Sequence, residues 1–203
     1  MPLRIRFFLL ALALIAGGDA LAETKVRTES FKPPPAADKG KLPGHLPPLA
    51  AVPEIITDLS RLPAPVARTR ERILAAAKSG DLQQLAALMN ETTPVFSFSD
   101  DKDPIAFWKE NYPDSGGIEV LSILTTILET GFVRVDEGTQ HDMYVWPYFV
   151  RMSLKALTPQ QKVELFRIVT GTDYKDMLAF GAYAFYRLGI GPDGAWHFFV
   201  AGD

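Results

Sequence analysis

The turn Gly191-Pro192-Asp193-Gly194 constrains this chain more than any other four residues. Pro192 pre-sets φ for the second position of a type I turn. Asp193 suits the third, and Gly194 can take the left-handed conformation that follows. Branched and aromatic residues flank it, as strands prefer. The spacing therefore predicts antiparallel strands over residues 182–190 and 195–201. With a type I turn followed by a bulge, one face pairs Ile190 with Trp196, Leu188 with Phe198, and Tyr186 with Val200. That face is apolar and should lie on the core. The opposite face pairs Gly189 with His197, Arg187 with Phe199, Phe185 with Ala201, and Tyr183 with Asp203. Two readings fit this second face. It is a strand lying under a helix, with Arg187 and His197 at its rim, or it is a ligand surface built on Phe185, Arg187, His197 and Phe199. A slip of one residue would exchange the faces.

The rest of the domain reads as helices with a second hairpin. Residues 67–79 carry strong helix formers, with Ile73, Leu74 and Ala77 on one stripe. Ser79-Gly80-Asp81 ends that helix and caps the next, whose face is Leu82, Leu85, Leu88 and Met89. Val95 to Ser99 alternates as a short strand would. Asp100, Asp101 and Asp103 lack the glycine and distal glutamate of a calcium loop. Asp103 instead reads as an N-cap with Pro104 as the first helical residue. Residues 118–129 are apolar almost all round, which predicts a helix buried in the middle of the domain. Residues 132–136 and 143–146 read as a strand and its return partner. Trp146, Pro147 and Tyr148 follow in a dense aromatic run, which is core or the wall of a pocket. Thr158-Pro159-Gln160-Gln161 is a strong helix start, predicting a helix to about Thr170, broken by Gly171. Another follows over residues 173–180. The predicted fold class is α+β: an N-terminal helical hairpin and further helices packed on a small antiparallel sheet built from two β-hairpins.

The N-terminal third has a different character. Arg4 and Arg6, the apolar run Phe7 to Ala16, and Ala20-Leu21-Ala22 together read as a cleavable export signal over residues 1–22. Ten apolar residues are too few to span a bilayer, and no later stretch is long enough. Residues 23–65 hold Pro33, Pro34, Pro35, Pro43, Pro47, Pro48, Pro53, Pro63 and Pro65. Such density excludes regular helix and favours an extended arm. Lys32-Pro33-Pro34-Pro35 and Leu46-Pro47-Pro48-Leu49 have the composition of docking segments, and residues 54–59 are apolar enough to pack on the domain. A single α+β domain is predicted over residues 66–203. The chain has no cysteine, which excludes disulfides and thiol chemistry. Its net charge of −3 argues against nucleic acid as a partner.

Motifs for chemistry are sparse. There is no G-x-S-x-G elbow, no phosphate loop and no H-E-x-x-H zinc signature. The domain has two histidines, His141 and His197, one in each predicted hairpin. One of them beside a carboxylate would suit a general base. Nothing calls for a cofactor or a metal.

Two resemblances bear on this. Stretches 75–82, 103–108, 143–149 and 186–194 resemble a family of exported bacterial proteins without assigned function, which brings no known activity and no catalytic residues to carry over. The helix, Ser79-Gly80-Asp81 and leucine-rich helix are similar to the opening of NTF2-like (SnoaL-like) domains. That similarity implies an alternative fold, an aromatic-lined cone of helices and curved sheet. The reading as a whole is a periplasmic or secreted binding or interaction domain without catalysis. Its candidate surface is Phe185, Arg187, His197 and Phe199, with Trp146 and Tyr148 as a further aromatic wall. The ligand is a small molecule or a cell-envelope component, and no transmembrane segment is left once the signal is removed. The alternative is a small hydrolase-type enzyme using a histidine and a carboxylate.

Overall fold

A computed structural model describes residues 54–98 and 101–202. The export signal, the arm as far as Pro53, Asp100 and the Tyr183–Asp203 pairing lie outside the described residues. The elements are α1 (Ala64–Ser79), α2 (Leu82–Thr92), α3 (Pro104–Asn111), α4 (Glu119–Leu128), β1 (Val133–Val135), β2 (Met143–Trp146), α5 (Pro159–Leu165), α6 (Gly171–Phe180), β3 (Arg187–Ile190) and β4 (Trp196–Val200). Short 3-10 turns at Tyr148–Arg151 and Leu154–Ala156 lead from β2 to α5. The fold is α+β.

The two hairpins do not stand apart. β2 pairs antiparallel with β3, so the sheet is one meander in the order β1-β2-β3-β4. Alternation along the strands divides its side chains between two packed layers. Tyr144, Trp146, Leu188, Ile190, Trp196 and Phe199 face α1 to α4. Val133, Val135 and Val145 face α5, α6 and the 3-10 turns, with Met143 and Phe198 partly buried beside them. An open sheet packed on both faces leaves the cone alternative without its interior.

Both edges of the meander are covered. Ile56 and Phe132 exchange two backbone hydrogen bonds of 2.9 Å beside β1. At β4, the Val95 N–H donates to the His197 carbonyl at 2.9 Å, and the Phe199 N–H donates to the Val95 carbonyl at 2.8 Å. Open edges template pairing with other chains, and a short covering segment blunts them. The predicted strand over residues 95–99 is thus a single bridge. The packed chain begins upstream of Val66, because Ile56 and Leu62 belong to the core.

Local signals explain most boundaries. Asp103 caps α3, its Oδ1 accepting from the N–H groups of Ile105 and Ala106 at 2.9 and 3.2 Å. The predicted helix from Thr158 stops at Leu165, and the chain turns without losing its inward residues Leu165, Ile168 and Val169. Gly171 opens α6 rather than breaking a helix, because Thr170 and Asp173 form a capping box around it. In α4 the residues Val120, Leu121, Leu124, Ile127 and Leu128 are buried as predicted, while Ile118 just ahead of it is exposed.

The terminal turn is as its residues dictate. The Gly194 N–H donates to the Gly191 carbonyl at 2.9 Å, and Gly194 has φ +89°. A Cβ there would come within 2.9 Å of the Pro65 carbonyl oxygen, and the Gly194 carbonyl accepts from Thr69 Oγ1 at 2.7 Å. The turn is thereby fixed to the start of α1.

The register beyond the turn differs from the predicted one. Ile190 pairs with Trp196, but Gly189 pairs with Phe198, Leu188 with Phe199, and Arg187 with Val200. His197 is the extra residue of a bulge, and a bulge shifts everything after it by one. Phe199 therefore faces α1 to α4 and Phe198 the opposite layer, the reverse of the predicted pairing. Tyr186, Leu188 and Ile190 are buried, as that reading required.

Candidate binding cleft

The six residues singled out by sequence do not share a surface. Trp146 and Phe199 are fully buried against α1 to α4. Tyr148 is buried in the other layer, where its hydroxyl donates to Glu164 Oε2 at 2.8 Å. Burial raises the Tyr148 pKa, and the hydrogen bond to Glu164 adds to the rise. Arg187 is only 6% exposed. It lies close enough to the buried Tyr183 for its charge to oppose the large rise that burial gives that phenol's pKa. Phe185 is half-buried and packs edge-on against Tyr186 at 5.4 Å. His197 is exposed on the bulge.

Arg187 and Phe199, predicted to pair, point to opposite faces of the sheet. The strand-under-a-helix reading fits Arg187 better than the ligand-surface one. Arg187→Ala is accordingly expected to lower stability by about 2 kcal/mol, from the lost packing of a buried side chain and its stem. In a domain of this size that is roughly 4–8 °C in Tm. A melting temperature unchanged by Arg187→Ala would return the residue to a ligand surface.

The aromatic residues are nonetheless connected. Phe185, Tyr186, Phe199, Trp108 and Phe96 follow one another with ring centroids 5.4, 4.8, 6.0 and 6.1 Å apart. Phe107 closes the row, edge-on to Phe96 at 5.6 Å. The row crosses the core and surfaces at Phe96.

There it meets a cleft of about 350 Å³ between the end of α2 and the start of α3. Met89, Pro94, Val95, Phe96 and Pro104 supply its apolar walls, and Asn90, Thr93, Ser97, Asp101 and Lys102 its polar groups. Ser97 Oγ donates to Asp101 Oδ2 at 3.0 Å. Val95 and Phe98 stand exposed beside it. Sequence reading missed this site. Its walls come from the irregular connection between α2 and α3, which has no helical or strand period to read, although Val95 and Phe98 beside Ser97 and Asp101 were a visible signal.

The two histidines occupy the same end of the sheet but separate settings. His141 sits in the β1–β2 loop, where its backbone N–H donates to Thr139 Oγ1 at 3.0 Å. The neighbouring Asp142 is held by Arg134 at 2.9 and 2.7 Å, which keeps its carboxyl below the usual carboxylate range. His197 Nε2 and Asp193 Oδ1 each lie 2.8 Å from the point a Cβ on Gly191 would occupy. Asp193 Oδ1 accepts the Ala195 N–H at 2.9 Å, which serves the turn. Among the described residues no group of three His, Asp or Glu is placed to hold a metal ion. Among them, too, no helix is long and apolar enough to cross a membrane. Comparison with known protein families, with curated proteins and with solved structures gives no match for this chain.

Proposed function

We propose that the chain is an exported, non-catalytic binding domain whose ligand enters the cleft between α2 and α3. The observation that carries this is the cleft's construction. Its volume falls in the range of small-molecule pockets, roughly 300–1,000 Å³. Its back wall, Phe96, is held by Phe107 and Trp108 and so presents a rigid apolar surface. Asn90, Ser97, Asp101 and Lys102 are the placed polar groups that fix orientation in such sites. A small ring-bearing molecule with one polar end suits that lining. Export rests on the sequence: Arg4, Arg6, the apolar run and Ala20-Leu21-Ala22.

Titration with indole, benzoate and phenethylamine, followed by backbone amide shifts, tests the cleft. At least one of the three is expected to shift residues 89–97 at millimolar concentration, and Phe96→Ser is expected to abolish the effect with the fold retained. Shifts scattered over the surface, or none with all three, would remove the cleft as the site.

A second reading, a hydrolase-type enzyme, draws on the shared space over Gly191. It requires His197 to reach the Asp193 carboxylate, a carboxylate the turn already uses. Binding in the cleft requires no such rearrangement and is the reading adopted.

A further inference from the structure

We infer, on the reading of the cleft between α2 and α3 as the binding site, that its ligand is an aryl-alkyl amine held with its ammonium group beside Asp101. Two helix ends meet at the cleft, and they differ in what they leave open. α2 ends there, with Met89 and Asn90 among the lining residues. The last carbonyls of a helix lack donors within it and carry the negative end of its dipole. The Thr93 N–H closes the helix on the Met89 carbonyl at 2.7 Å. The Asn90 carbonyl would next take the N–H of residue 94, but that residue is Pro94, which has none. The Val95 N–H goes elsewhere, to the His197 carbonyl at 2.9 Å.

α3 begins at the same cleft with Pro104, and its donors are already taken. Pro104 has no N–H. The Ile105 and Ala106 N–H groups donate to Asp103 Oδ1 at 2.9 and 3.2 Å, and the Phe107 N–H donates to the Asp103 carbonyl at 3.0 Å. An anion, which a helix N-terminus ordinarily attracts, meets a capped end here. Charge points the same way. Residues 101–103 set two carboxylates, Asp101 and Asp103, against the one ammonium of Lys102. Both Asp101 and Lys102 are exposed, but Asp101 is tied to Ser97 Oγ at 3.0 Å, while Lys102 carries its charge on a four-carbon stem. The cleft thus offers acceptors: the Asn90 carbonyl, the hydroxyls of Thr93 and Ser97, and the Asp101 carboxylate. An ammonium group brings three donors to meet them. Phe96, backed by Phe107 and Trp108, takes the apolar ring.

Phenethylamine, 2-phenylethanol and phenylacetate have nearly one shape and differ in charge. Each is titrated into the full chain, and the amide shifts of residues 89–97 are followed at low and at high salt. The amine is expected to bind about tenfold more tightly than the alcohol, the scale of one charge-assisted hydrogen bond, and phenylacetate more weakly than either. Asp101→Asn, with its fold checked by Tm, is expected to bring the amine down to the alcohol and leave the alcohol unchanged. High salt should narrow the same gap by screening. Equal binding of amine and alcohol, or tightest binding of phenylacetate, with the shifts still centred on residues 89–97, would overturn the amine and leave the cleft standing. An advantage of the amine that survives Asp101→Asn would overturn the role given to Asp101. Absence of shifts at residues 89–97 with all three would remove the cleft as a site, and the amine with it.

Discussion

Replacing Phe199 by alanine is expected to destabilise the domain by about 3–5 kcal/mol, the range for removing a large aromatic side chain from a packed core. Phe199 is fully buried. Its ring stacks on Tyr186 at 4.8 Å and lies 6.0 Å from Trp108, and each such pair adds roughly 0.5–1.5 kcal/mol beyond the area it buries. The loss corresponds to roughly 6–20 °C in Tm for a domain of this size. His197→Ala, two residues earlier on the exposed bulge, is expected to change stability by no more than about 0.5 kcal/mol. The contrast depends on the bulge. In an unbulged ribbon Phe199 would lie on the face toward α5 and α6, where Phe198 is only half-buried, and its loss would cost less. Urea unfolding of the two variants decides the matter. A cost below about 1 kcal/mol for Phe199→Ala would mean that Phe199 is not in the core.

Why the bulge escaped the sequence is a matter of period. A strand shows its inward face by alternation, and His197-Phe198-Phe199-Val200 does not alternate. Either phenylalanine can serve as the inward residue, so the turn alone set the predicted register. The turn itself was legible, since Pro192 fixes its φ and Gly194 takes the left-handed conformation without a Cβ penalty. The caps were legible too: Asp103 before Pro104 and Thr158 before Pro159 hold their helices as their side chains dictate. Thr170 and Asp173 carry the same signal, but Gly171 between them is a poor helix former and masks it. The pairing of β2 with β3 and the cleft at Phe96 were beyond reach for other reasons. The first brings together segments far apart in sequence, which no local preference specifies, and the second is set by how the connection from α2 to α3 folds back, which carries no regular period.

Arg70 gives the other large expected effect. Arg68, Arg70 and Arg72 follow at alternate positions of α1, and sequence alone does not rank them. Arg68 and Arg72 are exposed, and Arg72 pairs with Glu91 on the surface. Arg70 is buried against the end of α4, where its Nε and Nη2 donate to the Leu128 carbonyl at 3.2 and 2.5 Å. The last carbonyls of a helix have no partner within it, and they carry the negative end of its dipole. Arg70 satisfies one of them and places a positive charge there. Burial lowers its pKa, with Glu71 and Glu129 opposing, but a guanidinium stays charged at any ordinary pH. Arg70→Ala is expected to cost about 3–4 kcal/mol: roughly 1.5–3 for a hydrogen bond from a charged donor, with the dipole contact and the packed stem making up the rest. Arg70→Met restores the stem without the donor and should recover only the packing share, leaving a loss of about 2 kcal/mol. Arg68→Ala serves as the exposed control and should leave the urea midpoint nearly unmoved. Equal midpoints for Arg70→Met and the native chain, at an unchanged m-value, would show that the α4 terminus needs no cation and that α1 holds α4 by apolar packing alone.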